Sequence, residues 1–385
     1  MKGLGGDKWA VHHEGLRRAA AGEQLLFCSL GEPDFATPGA IVDVAERAMR
    51  AGRTRYSSGV GEPGVRAAIA RRYSQRSGRP IEPEQVVYVP GTQTGMYLAM
   101  ATLLDPGDEV LLPDPYYATY EGVIAAPGGV VHPVRLDPDN GFHLRADDLR
   151  AAIGPASRVL VLTTPSNPTG AVLTRDEMAA IGQVCIEHDL WIVCDEVYAE
   201  LTFDGGFASP LDLPELAERT VVVSSLSKSH AMTGFRCGWI VSSPEFVERC
   251  EPVVEAMLFG SQQFLEDATE YALSRDFEEC DAMRRAYASR ARVVVDTLHE
   301  VAGLRCRMPE GGMFVMVDVR ATGMSGEEFA WRLLDDQKVV VMPGESFGHG
   351  GAGHIRLGLV GSEAILREAC ERMCTFARRA TITST

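Results

Sequence analysis

Short apolar segments alternate with helical patterns between about residue 64 and residue 241. The apolar segments are four to six residues long and rich in β-branched residues, which is typical of buried strands. Between them, as in 64–77, 93–104 and 174–188, apolar residues recur three and four positions apart. This alternation predicts an α/β fold, in which a mostly parallel sheet is covered by helices on both faces. The predicted strands are VVYV (86–89), EVLL (109–112), VVHPV (130–134), RVLVLT (158–163), LWIVCD (190–195), TVVVS (220–224) and CGWIV (237–241).

The pattern changes after about residue 244. Long helical patterns cover 264–277 and 280–301, and short strand-like segments follow at 313–319, 338–342 and 354–359. A closing helical pattern over 363–379 places four apolar residues on one face, namely Leu366, Cys370, Met373 and Ala377. We therefore predict a large, mostly parallel seven-stranded sheet domain over 46–285. Residues 1–45 and 286–385 are expected to form a smaller α+β domain, closely joined to the first because no low-complexity linker separates them.

The charge balance excludes some classes of partner. A formal net charge of −16 argues against nucleic acid, whose phosphates attract clustered lysine and arginine, and against anionic membrane surfaces. No apolar run is long enough to span a bilayer, and the first residues have no apolar signal core. The nine cysteines show no metal-ligand spacing, so no metal site is predicted, and a reducing compartment fits them best. We expect a cytoplasmic protein.

Polar residues follow the predicted strands at the edge where sites in parallel sheets gather. Asp195 ends one strand, and Asn167 stands between two prolines after another. The segment SSLSKSHAMTGFR (224–236) places Lys228 among serines, with Arg236 eight residues on. Arg356 lies within an apolar strand near the end of the chain. Taken singly, each could be a capped helix, a turn or a satisfied ion pair.

Together these residues are suited to one ligand. The turn at 91–93, the serines and Arg236 would bind a phosphate, and Asp195 would keep a basic nitrogen protonated. A phenolate oxygen would lie near Tyr198 and Asn167, and a carbonyl would condense with Lys228. Pyridoxal 5′-phosphate (PLP) has all four groups.

The order of these motifs resembles the class I aminotransferases of PLP fold type I. The resemblance covers nearly the whole chain and is specific because the motifs occur in combination. They are SLGEPDFATP, YSSGVGEPGVRAAIA, PGTQ, PDPYYATY, PSNPTG, DEVY, SLSKSHAMTGFRCGW, GGMFVMVDV and HIRLGLV.

The resemblance implies a role for each residue. Lys228 bonds covalently to the cofactor and later shuttles a proton, while Asp195 pairs with the ring nitrogen. Tyr198 and Asn167 bind the ring hydroxyl oxygen, and Tyr117 stacks on the ring. The phosphate ligands are Thr92, Gln93, Ser225, Ser227 and Arg236.

Further implications concern the substrate and the assembly. Arg356 grips the substrate α-carboxylate, and Gly31 brings backbone close to it. Tyr56 reaches the phosphate of the neighbouring subunit's cofactor, which implies a homodimer with shared active sites. The resemblance also implies cis peptide bonds at Asn167–Pro168 and Asp114–Pro115.

Two other classes of function fit these residues less well, and a third stays open. Gly59, Gly61 and Gly64 form the G-x-G-x-x-G spacing of dinucleotide-binding proteins, but the charged segment before them is not an apolar strand. A catalytically dead binding module would be expected to lose Lys228 or Asp195. Fold type I also includes β-lyases, decarboxylases and oxidases, and this alternative stays open.

Several segments resemble the arginine–pyruvate transaminase branch of the family. A relative that serves the biosynthesis of a guanidino amino acid of the enduracididine type would look similar. Phe235 and Cys237 depart from the more usual tryptophan and valine, which affects the substrate assignment rather than the reaction. We expect a ping-pong aminotransferase acting on a basic L-amino acid and a 2-oxo acid such as pyruvate. Glu32 and Asp34 could pair with the guanidine, although a structural turn would explain them equally well.

Overall fold

A computed structural model describes residues 6–382 of the chain, except residues 205, 300 and 302. Its strands carry the chain-order labels used below. They are β1 (Leu26–Phe27), β2 (Val86–Val89), β3 (Glu109–Asp114), β4 (Val130–Arg135), β5 (Ser157–Thr163), β6 (Trp191–Asp195), β7 (Thr220–Ser225), β8 (Gly238–Val241), β9 (Arg305–Cys306), β10 (Phe314–Asp318), β11 (Val339–Val340), β12 (Met342–Pro343) and β13 (His354–Gly358).

Strands β2 to β8 form the large sheet that the apolar pattern predicts. Their order across it is β2-β8-β7-β6-β5-β3-β4. The pairs β3–β4, β3–β5, β5–β6 and β6–β7 are parallel, whereas β8 runs antiparallel to both of its neighbours. Central strands are buried on both faces, which explains runs such as Val221–Val223 in place of alternation. The prediction of a mostly parallel seven-stranded sheet is therefore confirmed.

Helices cover both faces of this sheet and pack beside the smaller one. Some begin with the side-chain caps that the sequence offers, as at Thr174, whose hydroxyl accepts from the backbone N–H of Glu177. The α-helices are α1 (Ala10–Ala20), α2 (Gly39–Arg50), α3 (Pro63–Ser77), α4 (Thr92–Leu103), α5 (Tyr120–Ala125), α6 (Ala146–Ala152), α7 (Arg175–Glu187), α8 (Pro244–Met257), α9 (Gln263–Leu273), α10 (Glu278–Leu298), α11 (Gly326–Gln337) and α12 (Glu363–Ile382).

The last part of the chain forms a second sheet, in which β12, β13, β10 and β9 pair antiparallel. Helices α10, α11 and α12 surround its apolar core. The predicted apolar face of α12 is confirmed, because Leu366, Cys370, Met373 and Ala377 are all fully buried. Strand β1 pairs with β11, so the first residues of the chain join this region.

Two sequence expectations can be followed in the fold. Residues 51–62 form turns and loops with one isolated β-bridge at Tyr56, so no strand precedes α3 and the glycine-rich segment is not a dinucleotide-binding turn. The division at 45/46 and 285/286 stays a prediction, and both positions fall within helices, α2 and α10.

Among the described residues, no helix is both long and apolar enough to cross a membrane.

Candidate active site

The carboxyl ends of β5, β6 and β7 deliver three of the predicted residues to one place. Asn167 follows β5, Asp195 ends β6 and Lys228 follows β7. Because these strands are parallel neighbours, their ends meet at one edge of the sheet. The three residues line a cavity of about 340 Å³ that also reaches the second sheet through Arg356.

The Lys228 amine is held inside this cavity. Its Nζ donates a 2.5 Å hydrogen bond to the backbone oxygen of Gly31. Burial lowers the pKa of Lys228 to about 8, although the nearby Glu32 carboxylate acts in the opposite direction. At pH 7 about a tenth of the amine is then unprotonated, far more than at the ordinary pKa of 10.5, and the unprotonated amine is the form that attacks a carbonyl.

Asp195 is a buried carboxylate held in one orientation. Its Oδ2 accepts from the Tyr120 hydroxyl at 2.7 Å, and its Oδ1 accepts from the backbone N–H of Val197 at 3.0 Å. Burial raises the pKa of Asp195 to about 6, and both hydrogen bonds oppose that shift. A carboxylate in this position gains stability when a cationic ring nitrogen comes beside it.

Arg356 is a buried guanidinium that faces the same cavity. Its Nη1 donates to Oδ1 of Asn167 at 2.9 Å, and its Nη2 donates to the backbone oxygen of Ser29 at 2.7 Å. The rings of Phe314 and Phe347 lie 4.1 and 4.5 Å from its carbon. Burial lowers its pKa to about 10, and its Nε has no hydrogen-bond partner. None of these partners is a carboxylate, so the positive charge of Arg356 is not neutralised by them. The guanidinium is therefore suited to bind the carboxylate of a ligand.

The start of α4 and the turn after β7 also line the cavity. Thr92 and Gln93 open α4, and the Thr92 Oγ1 is buried without a partner. Ser225 and Ser227 line the same cavity, and Arg236 adds a cation. Gly91 has φ +84°, and a Cβ there would lie 2.3 Å from Nη2 of Arg236, so glycine lets the guanidinium reach the turn. Free N–H groups, hydroxyls and a guanidinium together match a phosphate.

Aromatic residues close the cavity. Tyr117 lies edge-to-face with Tyr120, at a centroid distance of 5.6 Å, and Tyr198 contacts Phe314 in the same manner. Burial raises the pKa of Tyr198, so its phenol stays protonated and can donate a hydrogen bond. Gly31 fits here because a Cβ on it would lie 2.4 Å from the Phe314 ring.

Every predicted site residue except Tyr56 lines this cavity. Tyr56 is 80% exposed and packs edge-to-face with the exposed Phe259, in a separate surface depression. Asp34 is held by Arg290 through hydrogen bonds of 2.7 and 2.9 Å, so the structural explanation applies to it, whereas Glu32 lines the cavity. The predicted cis bonds at Asp114–Pro115 and Asn167–Pro168 are present, and a third, at Thr164–Pro165, was not predicted.

Some cavity residues were missed by the sequence analysis. Tyr120 could have been found, because it lies three residues after Tyr117 in a helical turn. Ser29 carries no such signal, since it binds Arg356 through its backbone oxygen. Trp9 comes from a segment distant from every motif, whereas Phe314 lies in the GGMFVMVDV motif, to which the sequence analysis assigns no site residue.

The donor set fits PLP group by group. The unpartnered Thr92 hydroxyl and its cationic neighbour suit the phosphate, and the oriented Asp195 suits a pyridinium nitrogen. The Lys228 amine suits the aldehyde, and the buried Arg356 suits a substrate carboxylate.

Comparisons with known proteins agree with this chemistry. Residues 23–373 match the family described as aminotransferase class I and II. The arginine–pyruvate transaminase of Pseudomonas aeruginosa is 46% identical, over 98% of this chain and 96% of that protein. An aspartate aminotransferase of Geobacillus stearothermophilus is 33% identical, over 95% of each chain.

Solved structures show the same relationship. The aspartate aminotransferase from Thermus thermophilus with maleate superposes with a TM-score of 0.90 at 32% identity, covering 96% of each chain. Class I aminotransferases of this fold depend on PLP. The chain therefore belongs to the class I and II aminotransferase family, as a PLP-dependent transaminase of fold type I.

Proposed function

We propose that this transaminase moves an amino group between a basic, guanidino-bearing L-amino acid such as arginine and a 2-oxo acid such as pyruvate, by a ping-pong mechanism. The observation that carries the substrate class is the 46% identity to an arginine–pyruvate transaminase, against 33% for an aspartate aminotransferase. A natural-product pathway to a guanidino amino acid would use the same donor chemistry.

The charges of the cavity support this class of substrate. Its lining cations are Lys228, Arg236 and Arg356, and each has a task at the amine, the phosphate or the α-carboxylate. In the part of the chain that the structure describes, no lining cation is left for a second substrate carboxylate. Glu32 contributes a negative charge instead, which favours a cationic side chain.

PLP, when bound, supplies an aldehyde that condenses with amines and a ring that withdraws electrons from the substrate Cα. Lys228, released from its own bond to the cofactor, would take the proton from Cα, and its lowered pKa suits it as a base near neutral pH. Asp195 would keep the ring nitrogen protonated. Arg356 would fix the α-carboxylate, with the Gly31 backbone beside it.

The remaining residues would hold the cofactor in place. Tyr117 would cover one face of the ring, and Tyr198 and Asn167 would donate to its hydroxyl oxygen. The phosphate would be bound by Thr92, Gln93, Ser225, Ser227 and Arg236.

The assembly we propose is a homodimer. Tyr56 and Phe259 are 80% and 66% exposed, and aromatic residues of this size are uncommon on a surface with no partner. Tyr56 would then reach the phosphate in the neighbouring subunit.

We place the enzyme in the cytoplasm, because all nine cysteines are free thiols.

The donor half-reaction tests the proposed function. Purified holoenzyme is mixed with arginine, alanine, aspartate or phenylalanine without any oxo acid, and the released oxo-acid product is measured over time. We expect about one product per site, as a ping-pong enzyme requires, and the highest kcat/KM for arginine. A tenfold preference for aspartate or phenylalanine, about 1.4 kcal/mol, would contradict the guanidino class while leaving the transaminase assignment intact.

A further inference from the structure

One aromatic side chain in the cavity has no task in the chemistry above. Trp9 lines the cavity together with Arg356 and Glu32, and it comes from the segment Gly6–Trp9 that precedes α1. Its role bears on the substrate, so the inference below depends on the proposed function.

The segment that carries Trp9 is anchored through Lys8, the residue before it. The Lys8 Nζ forms a 2.6 Å ion pair with Glu121, and the Lys8 backbone oxygen accepts a 2.7 Å hydrogen bond from the Ser346 hydroxyl. The indole lies edge-to-face with His12, at a centroid distance of 6.3 Å. A side chain held in this way presents the same surface to each ligand.

The indole also shares an apolar neighbour with Arg356. Trp9 packs against the apolar cluster of Ala118, Met342 and Phe347. The Phe347 ring in turn stacks on the Arg356 guanidinium at 4.5 Å. Trp9 and Arg356 therefore both pack against the apolar group that contains Phe347, which associates the indole with the residue that would bind the α-carboxylate.

A carboxylate complements the indole. Oε1 of Glu32 accepts a 2.6 Å hydrogen bond from the Thr233 hydroxyl, which fixes its position in the lining. Asp34, two residues on, is occupied by Arg290. Among the described lining residues, the carboxylates are Glu32 and Asp195. Asp195 would pair with the cofactor nitrogen, so Glu32 is the carboxylate that remains for the substrate.

We propose that Trp9 is a specificity-determining residue, whose indole face binds the planar guanidinium of the substrate while Glu32 supplies the opposite charge. A guanidinium is planar and weakly hydrated, so it stacks on an aromatic face more readily than an ammonium does. Among aromatic side chains, tryptophan attracts a cation over its ring most strongly. A substrate with an uncharged side chain of the same length would gain only the apolar part of this contact.

The test compares arginine with citrulline, which has the same length and a planar but neutral urea group. Wild type, Trp9→Phe and Trp9→Leu are compared by kcat/KM in the donor half-reaction. We expect Trp9→Leu to lower kcat/KM for arginine about tenfold and for citrulline less than threefold, because leucine keeps apolar bulk but has no π face. Trp9→Phe should lie between wild type and the leucine variant.

A binding measurement removes the chemistry from the comparison. Calorimetry of the holoenzyme with 5-guanidinopentanoate, which lacks the amino group, should show a higher Kd in Trp9→Leu, whereas the Kd of hexanoate should hardly change. Trp331→Leu is the matched control, because Trp331 lies on α11 outside the cavity. Equal losses for arginine and citrulline in Trp9→Leu would mean a structural role and would overturn the proposal.

The outcomes also distinguish a wrong role for Trp9 from a wrong substrate class. If wild type prefers arginine to citrulline and Trp9→Leu keeps that ratio, the guanidino function stands and the role of Trp9 is wrong. If wild type does not distinguish the two donors, both the guanidino substrate class and the Trp9 site are wrong.

Discussion

The Tyr120 hydroxyl donates a 2.7 Å hydrogen bond to Oδ2 of the Asp195 carboxylate. The same hydroxyl lies 2.8 Å from the Thr163 Oγ1, so it has two partners. This bond lowers the pKa of Asp195 against the larger effect of burial. Tyr120 is thus a positioning residue for the carboxylate that we propose pairs with the cofactor nitrogen.

Tyr120→Phe should raise the pKa of Asp195. Losing one hydrogen bond to a buried carboxylate costs about 1–3 kcal/mol, or about 1 pKa unit at the lower end. We expect the acid limb of the kcat/KM profile to move to higher pH. Tyr116→Phe is the control, because Tyr116 does not line the cavity. A coincident acid limb in Tyr120→Phe and wild type would contradict this role.

Asp195→Asn should stabilise the apoprotein near neutral pH while it abolishes most of the activity. The folded pKa of Asp195 is about 6 and its ordinary value is 3.8, so the folded apoprotein binds more protons between pH 4 and 6. Stability therefore falls as pH rises through this window, by up to about 3 kcal/mol. Urea unfolding of the apoprotein should show Asp195→Asn more stable than wild type at pH 7.5, with the difference lost near pH 4.

The same variant should lose transamination by about 100-fold or more, since asparagine cannot hold the ring nitrogen protonated. If the Asp195→Asn apoprotein is less stable than wild type at pH 7.5, the buried charge of Asp195 is not the main destabilising effect at this position.

Arg356→Lys should weaken substrate binding. Lysine keeps the charge but lacks the planar pair of donors that a carboxylate accepts. We expect kcat/KM for the donor to fall about 100-fold, mostly through KM, which corresponds to about 2.7 kcal/mol. Arg320→Lys, on an exposed arginine paired with Asp318, is the control and should leave both constants unchanged. A wild-type KM in Arg356→Lys would place the carboxylate elsewhere.

Glu32→Gln should lower the pKa of Lys228 below its present value of about 8, because the Glu32 carboxylate raises it. The neutral amine captures PLP, so the rate of reconstitution of the apoenzyme should rise with pH and level off above this pKa. The midpoint should move to lower pH in the variant. Glu23→Gln, at a carboxylate paired with Lys338, serves as control. A midpoint that moves upward would contradict the electrostatic argument.

Mixing two inactive variants tests the shared site. In the proposed homodimer, Tyr56→Ala and Lys228→Ala should each leave little activity, and Lys228→Ala should form no covalent bond to PLP on borohydride reduction. If Tyr56 acts in the neighbouring subunit, unfolding and refolding an equal mixture should restore about a quarter of wild-type activity, since half of the dimers then hold one complete site. No recovery would mean that Tyr56 acts within its own chain or not at all.

The strand-end residues could be predicted because chemistry and topology coincide there. Asn167, Asp195 and Lys228 follow apolar strands, and parallel strands bring their carboxyl ends together. Trp9 could not be predicted, since it reaches the cavity through contacts between distant segments that no local pattern describes. The same holds for Phe347, which packs against the Arg356 guanidinium without lining the cavity. Ser29 contributes a backbone oxygen, which any residue carries.

The cavity is lined by residues as distant in the chain as Trp9 and Arg356. During synthesis the large sheet is complete once β8 has left the ribosome, but β13, which carries Arg356, emerges more than a hundred residues later. At ordinary rates of translation this interval lasts about 5–20 s. A nascent chain in that interval holds Lys228 and the turn at 91–93, but it lacks Arg356, the residue that we propose binds the substrate carboxylate.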